Sequence, residues 1–303
     1  MLECAIIGGG PAGLNAALVL GRARRRVMLF DNKKPRNRVT RHSYGFLTRD
    51  GVTPSEFRDM AHRDIKKYPS VTIKTAEVLE VKREDDGTFR IMTIEGESHS
   101  SKKILIATGL KEELPDVTGI RDYYGTSIFS CPYCDGWELR DQPLALLAGH
   151  GTTFHLAQTM YQWSKDIVVC TNGKELLSKE ELQVLGRKGI RINELPILHL
   201  VGTDGKLERI VFADGTSLER AGGFATTLLT QSNDLAVSLG CKLNKPGGII
   251  VEQLGQTSVQ GVYAAGDVSL AGPAQLIIAA SQGMHAAIGV NHDLTMEEFE
   301  AQE

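Results

Sequence analysis

The 303-residue chain is short of several features that would have fixed its class at once. No apolar run approaches the ~18 residues that span a bilayer. No charged-then-apolar leader is apparent, because Ala5-Ile6-Ile7 runs directly into glycines, so no secretory signal is expected. No block of one charge stands out: 34 Lys and Arg face 37 Asp and Glu, for a formal net charge of −3. So mild an acidity leaves no electrostatic footprint for nucleic acid or for a membrane surface. The densest cationic stretch, Arg22, Arg24, Arg25 and Arg26, falls where a helix should end and is read as serving the helix dipole. Cysteine is also scarce, at five residues. A cytoplasmic location is expected, and there a close cysteine pair is redox-active or metal-binding rather than part of a structural framework.

Glycine, by contrast, is plentiful at 32 residues. It clusters at 8–13, 149–151, 247–248 and 261–266, mostly after apolar runs, which suggests nucleotide-binding turns rather than low complexity. The length favours two compact units. Residues 4–8 read as a short buried parallel strand. Gly8-Gly9-Gly10-Pro11-Ala12-Gly13 follows, and Leu14–Leu20 then reads as a helix. In that setting Gly8 allows the tight turn, Gly10 lets a pyrophosphate approach the backbone, and Gly13 lets helix press on strand. Pro11 and Ala12 open the helix whose N-terminal amides face the phosphates. A second strand, Arg26–Phe30, ends at Asp31, the acid a ribose diol requires. The bland reading, a glycine turn with no ligand, does not explain strand, helix, second strand and acid in this order.

The turn alone does not choose between FAD and NAD. Two later segments bear on the choice: Lys103–Ile106 running into Ala107-Thr108-Gly109, and Gly261–Ala265 ending in Gly266-Asp267. The most specific feature lies between them. In Ser130-Cys131-Pro132-Tyr133-Cys134-Asp135-Gly136, two cysteines can close a small disulfide ring and reopen it by thiolate exchange. The motif lowers one thiol's pKa, and Asp135 is placed to exchange a proton with the leaving thiol. A zinc site needs a second ligand pair, and Cys4, Cys170 and Cys241 are isolated, without histidines at metal-motif spacing. Those three read as core residues.

In this order, the turn at 8–13, Ala107-Thr108-Gly109, the Cys-Pro-Tyr-Cys-Asp-Gly run and Gly266-Asp267 resemble the low-molecular-weight thioredoxin reductases, over essentially the whole chain. The resemblance implies an α/β fold of two Rossmann-like, three-layer ββα dinucleotide-binding domains, the second inserted into the first. The FAD-binding domain would comprise 1–112 and 232–303, and the inserted NAD(P)-binding-like domain 113–231. It implies a homodimeric flavoprotein oxidoreductase in which Cys134 faces the flavin, Cys131 meets the substrate and Asp135 moves the proton. Asp267 would bind the ribityl chain, the helix from Gln275 would lie by the flavin ring, and adenine would meet the backbone near Val78. One departure is Ala274, where the family carries arginine before the glutamine.

A second departure concerns NADPH. Leu144–Ala148 reads as a strand leading into Gly149-His150-Gly151-Thr152-Thr153-Phe154, which puts Phe154 where helix must press close to strand. The next strand, Ile167–Cys170, leads to Thr171-Asn172-Gly173, where the family places cations for the 2′-phosphate. Efficient NAD(P)H use is therefore not expected, although Gly149 and Gly151 keep backbone amides for phosphate and leave NADPH open. Without it, ferredoxin is a possible donor for a chain that reduces a thioredoxin-like protein. The rival is a small-molecule dithiol oxidase passing electrons to oxygen. Such oxidases resemble this chain around Gly136-Trp137-Glu138 but carry His in place of Asp135. A non-catalytic flavin-binding regulator is a rival of another class, with no need for the cysteine pair. His150 and His155 are given no role. Residues 35–42 are expected to loop over the cofactor, with Asn37 and Arg38 as candidate contacts. Residues 176–195 read as a surface helix and turn, and the tail from Leu294 as a frayed acidic helix.

Overall fold

The structure is a computed structural model and describes residues 1–270 and 273–301. The chain opens with β1 (Leu2–Ile7), α1 (Pro11–Arg22), β2 (Val27–Asp31), α2 (Pro54–Ile65) and β3 (Val71–Thr75). An antiparallel stretch follows as β4 (Val78–Arg83), β5 (Phe89–Thr93) and β6 (Ser98–Ile106). After a short strand β7 (Leu110–Glu113) come α3 (Ile120–Tyr123), β8 (Ile128–Phe129), α4 (Pro132–Asp135), β9 (Leu144–Leu147), α5 (Thr153–Met160), β10 (Ile167–Cys170), α6 (Lys179–Arg187) and β11 (Arg191–Asn193). Next are β12 (Ile197–Thr203), β13 (Lys206–Phe212), β14 (Ser217–Glu219), β15 (Gly222–Ala225) and β16 (Leu228–Gln231), then α7 (Leu235–Ser238), β17 (Val262–Ala264) and α8 (Leu276–Glu300).

Two main sheets result, the first parallel with an antiparallel extension through β5 and β4, the second parallel. The first runs β3-β2-β1-β6-β5-β4, with β17 also paired to β6. At nine residues, β6 is long enough to serve two layers. Its Ile104–Ile106 end pairs in parallel with β1 and β17, while Ser98–Ser101 pairs antiparallel with β5. One face carries α1 and α8 on a core of Cys4, Ile6, Leu29 and Leu105; the other is covered through Phe30, Val81, Phe89 and Ile91. The second sheet, β11-β10-β9-β15-β8, repeats the plan. Its helices α5 and α6 bury Ala157, Met160 and Leu185 on one face, and β12-β13-β14 bury Leu200, Ile210 and Phe212 on the other. This is the expected α/β class of Rossmann-like, three-layer units. The pair β7–β16 is a two-stranded antiparallel ribbon between them. No helix among the described residues is long and apolar enough to cross a membrane.

Strands 4–8, 26–30, 144–148 and 167–170 fall within one or two residues of their expected places, because each is a buried β-branched or aliphatic run. Three expectations need correction. Arg25 is committed elsewhere than to the end of α1. It is buried and donates to Glu3 (2.9 Å), Asn291 (2.8 Å) and Thr295 (2.8 Å), and it also pairs with Glu298. The tail is not frayed where Glu298 meets Arg25 and Glu297 meets Lys103; α8 continues to Glu300. Residues 176–195 contain the expected helix, opened by a Ser178/Glu181 capping box, and a turn at 188–189, but they also add strand β11. Because truncating one partner strands the others in a poorly hydrated site, Arg25→Ala should lower unfolding free energy by about 3 kcal/mol. Urea titration of the two proteins at neutral pH measures this.

Candidate active site

The glycine turn is built by contact. Gly8 has φ +117°, and a Cβ there would drive into the Ala107 carbonyl; a Cβ on Gly13 would drive into the Gly8 carbonyl. Gly10 caps α1 with extended backbone and no side-chain bond, and a Cβ on it would meet nothing within 4 Å. The first-turn amides of α1 therefore point into open space, as anion binding requires. That space is a cleft of about 530 Å³ whose lining includes Gly8, Gly10, Pro11, Asp31, Asn37, Val78, Thr108, Gly109 and Asp267. Ala12, Gly13 and Gly266 are not in its wall. They let α1, β1 and α8 approach closely behind it, for a Cβ on Gly266 would meet that of Ala12. The sequence reading missed the partner of Asp31: this buried carboxylate accepts from the Lys33 amide (2.8 Å) and pairs with Arg58 of α2. Uncapped amides, a glycine turn without Cβ atoms and an acid at the end of β2 fit a dinucleotide.

A second cavity of about 150 Å³ adjoins the first and shares Pro11, Asn37, Asp267 and Leu276 with it. Its lining includes Cys131, Cys134, Asp135 and Gln275. Strand β8 delivers the chain to Cys131, the N-cap of α4, and Pro132 takes the first helical position, where its missing N–H costs nothing. Cys131 and Cys134 are joined as a disulfide. Gln275, the N-cap of α8, donates its side-chain amide to both sulfurs, at 3.3 and 3.2 Å. Gly136 is forced by its setting, since a Cβ would strike the Pro132 carbonyl and the Trp163 ring. Tyr133 stands 75% exposed on the outer side of the turn, edge-on to Trp163.

Asp135 is buried at 8% exposure. Burial, and after it the Glu138 charge, push its carboxyl up to about 7. It can therefore hold a proton near neutrality, as a group serving a leaving thiolate must. The same shift sets a stability dependence. The folded chain keeps this proton above the ordinary value of 3.8, so its contribution is complete below that pH and is lost as pH rises through about 7. Asp135→Asn should resist urea better than the parent at pH 8 but not at pH 4, while disulfide turnover falls about a hundredfold.

The family model described as pyridine nucleotide-disulphide oxidoreductase matches residues 2–283. The chain belongs to this family. A crystal structure from Bacillus anthracis, of a protein described as thioredoxin reductase TrxB, is 44% identical and superposes with a TM-score of 0.95, covering 98% of this chain and 100% of that one. The thioredoxin reductase aclD of Aspergillus oryzae is 30% identical over 309 residues, 98% of each chain. A protein of Arthroderma benhamiae also described as a thioredoxin reductase is 33% identical over 334 residues, 99% of this chain and 82% of its own. The chain is thus a thioredoxin-reductase-like, FAD-dependent disulfide oxidoreductase.

The turn at 149–154 is committed to contacts within its own fold. The Gly149 amide is already spent on the Thr226 hydroxyl at 2.6 Å. Helix α5 begins only at Thr153, and Phe154 packs into the core beside β9. Asn172, at φ +51°, donates to the Asp116 carbonyl (3.1 Å) and accepts from the Ile197 amide (2.7 Å). The position after β10 is therefore committed to holding its own loop. Cys4, Cys170 and Cys241 are buried and free, as core residues.

Proposed function

We propose that the chain interconverts a dithiol and a disulfide through Cys131 and Cys134, with FAD held in the glycine-turn cleft. One observation carries this reading: the disulfide lines a cavity that adjoins that cleft and shares lining residues with it, its two sulfurs held by one amide. FAD supplies a two-electron donor or acceptor at that place. The protein's own steps are thiol exchange. A substrate thiolate attacks the disulfide, a mixed disulfide forms, and the second substrate thiol displaces the enzyme sulfur; substrate leaves oxidised and Cys131 and Cys134 remain as thiols. The reverse sequence reduces a disulfide. Cys131 meets the substrate, Cys134 stays on the cavity side, Asp135 gives or takes the proton, and Gln275 orients both sulfurs. Asp31, Asn37, the Val78 backbone, Thr108, Gly109 and Asp267 hold the cofactor.

The domain division follows the same reading: 1–112 with 232–303 binds FAD, 113–231 carries the cysteine pair, and the β7–β16 ribbon joins them. The commitment of Gly149 and Asn172 supports poor NADPH use and another donor, of which ferredoxin is one. A thioredoxin-like protein is the favoured partner. A small dithiol, with oxygen as final acceptor, is the second reading, supported by sulfurs that are half-buried rather than prominent. The exposed side chains of Ile277, Met284, Ile288 and Phe299 lie along one side of α8 at helical spacing and support a homodimer. Mixing the anaerobic yellow protein with NADPH, NADH or reduced ferredoxin tests the donor. The reading expects flavin absorbance to persist for minutes with micromolar NADPH, and bleaching within a turnover time would overturn that part.

A further inference from the structure

We propose that Arg121 reaches from the second core to the cofactor cleft of the first and clamps the phosphates there, so that bound cofactor fastens the cysteine-bearing unit in place. The inference rests on the FAD reading above. Helix α3 is anchored in the second core: Ile120 and Tyr123 are buried among Val117, Ile128, Ala145 and Leu147. Arg121, between those two anchors, is exposed and lines the cleft that the Gly8–Gly10 turn also lines. The anchors leave α3 little freedom to move without its core.

The charge around Arg121 points to an anion. Among the described residues, the cations lining this cleft divide in two. Lys34 pairs with Glu77, and Arg36 pairs with Asp267 and Glu112. Arg38, Lys111 and Arg121 have no carboxylate within ion-pair distance. Arg38 donates only to the Lys34 and Pro35 carbonyls. Three uncompensated cations thus line the same cleft as the uncapped start of α1, and that combination suits a pyrophosphate. Arg121 differs from the other two in being rooted in the other core. A guanidinium there binds cofactor and joins two bodies in one contact, and it does so only while the disulfide lies on the cofactor side. The two effects are thermodynamically linked: cofactor stabilises the docked arrangement by as much as that arrangement tightens cofactor.

The test compares wild type, Arg121→Ala, Arg121→Lys and Arg121→Glu. FAD affinity is read from flavin fluorescence during reconstitution of apoprotein, and backbone hydrogen exchange is followed in α3 and β7 with and without FAD. Arg121→Ala should weaken FAD about tenfold, Arg121→Glu further, and Arg121→Lys should recover most of the loss. FAD should slow exchange in α3 and β7 of wild type and of Arg121→Lys, but not of Arg121→Ala. FAD affinity of Arg121→Ala within twofold of wild type, or undiminished protection of its α3, overturns the clamp. Failure of wild-type apoprotein to take up FAD would instead strike the cofactor reading on which the clamp depends.

Discussion

Cys134→Ser is expected to purify with its flavin and to lose thiol–disulfide turnover by at least about a thousandfold. The residue sits in the wall of the small cavity and accepts from Gln275 at 3.2 Å. Serine is close to isosteric, so α4, the Gln275 contact and the neighbouring cleft should survive. What disappears is the exchange chemistry, because a hydroxyl at neutral pH is neither a competent nucleophile nor a leaving group for sulfur. Cys131→Ser should fail to the same degree. Turnover with dithiothreitol and a chromogenic disulfide, set beside the flavin spectrum of each protein, separates lost chemistry from lost cofactor. Near-parental turnover in either variant would contradict the assignment.

Gly8→Ala carries the second large effect. The added methyl would lie under 3.0 Å from the Ala107 carbonyl oxygen and carbon, and the backbone there holds φ +117°. Neither neighbour can yield. The Gly8 amide donates to the Phe30 carbonyl at 2.9 Å, and the Ala107 amide donates to the Ile7 carbonyl at 2.8 Å. Relief therefore means parting β1 from β6 at the ends that shape the cleft. Strained dihedral and overpacking together should cost about 3 kcal/mol of stability, and the protein should be isolated without flavin colour. Thermal unfolding and the flavin-to-protein absorbance ratio check both parts. A yellow, equally stable Gly8→Ala protein would mean that the turn is not as tight as its contacts indicate.

What the sequence disclosed, and what it hid, separate along the reach of each interaction. The β1 turn, the second turn and the cysteine pair each lie within one short segment, where glycine spacing and buried runs carry local physics. The hidden features join distant segments. Asp31 reads as an acid at the end of a strand, but its Arg58 partner depends on α2 folding back over β2. Resemblance places Gln275 by the flavin ring, but its contacts to the sulfurs span 141 and 144 positions and required the fold. Arg25 reads with its neighbours as serving the helix dipole because nothing local shows that α8 returns to cover it. Asn172 shows the converse: its lack of charge was visible, but its two backbone bonds required the fold. The three-stranded layer β12-β13-β14 buries Leu200, Leu207 and Ile210 through register shifts that break strict alternation, and only the second sheet explains what it covers.

The central step is the trade of an electron pair between Cys131 and Cys134 and flavin in the adjoining cleft. Anaerobic titration of the holoprotein with dithiothreitol, followed by flavin absorbance, addresses this directly when wild type and Cys134→Ser are run together. Wild type should lose its flavin absorbance as dithiothreitol is added, and Cys134→Ser should stay yellow over the same interval. Equal bleaching of both proteins, or none in wild type, would show that electrons do not pass through this disulfide.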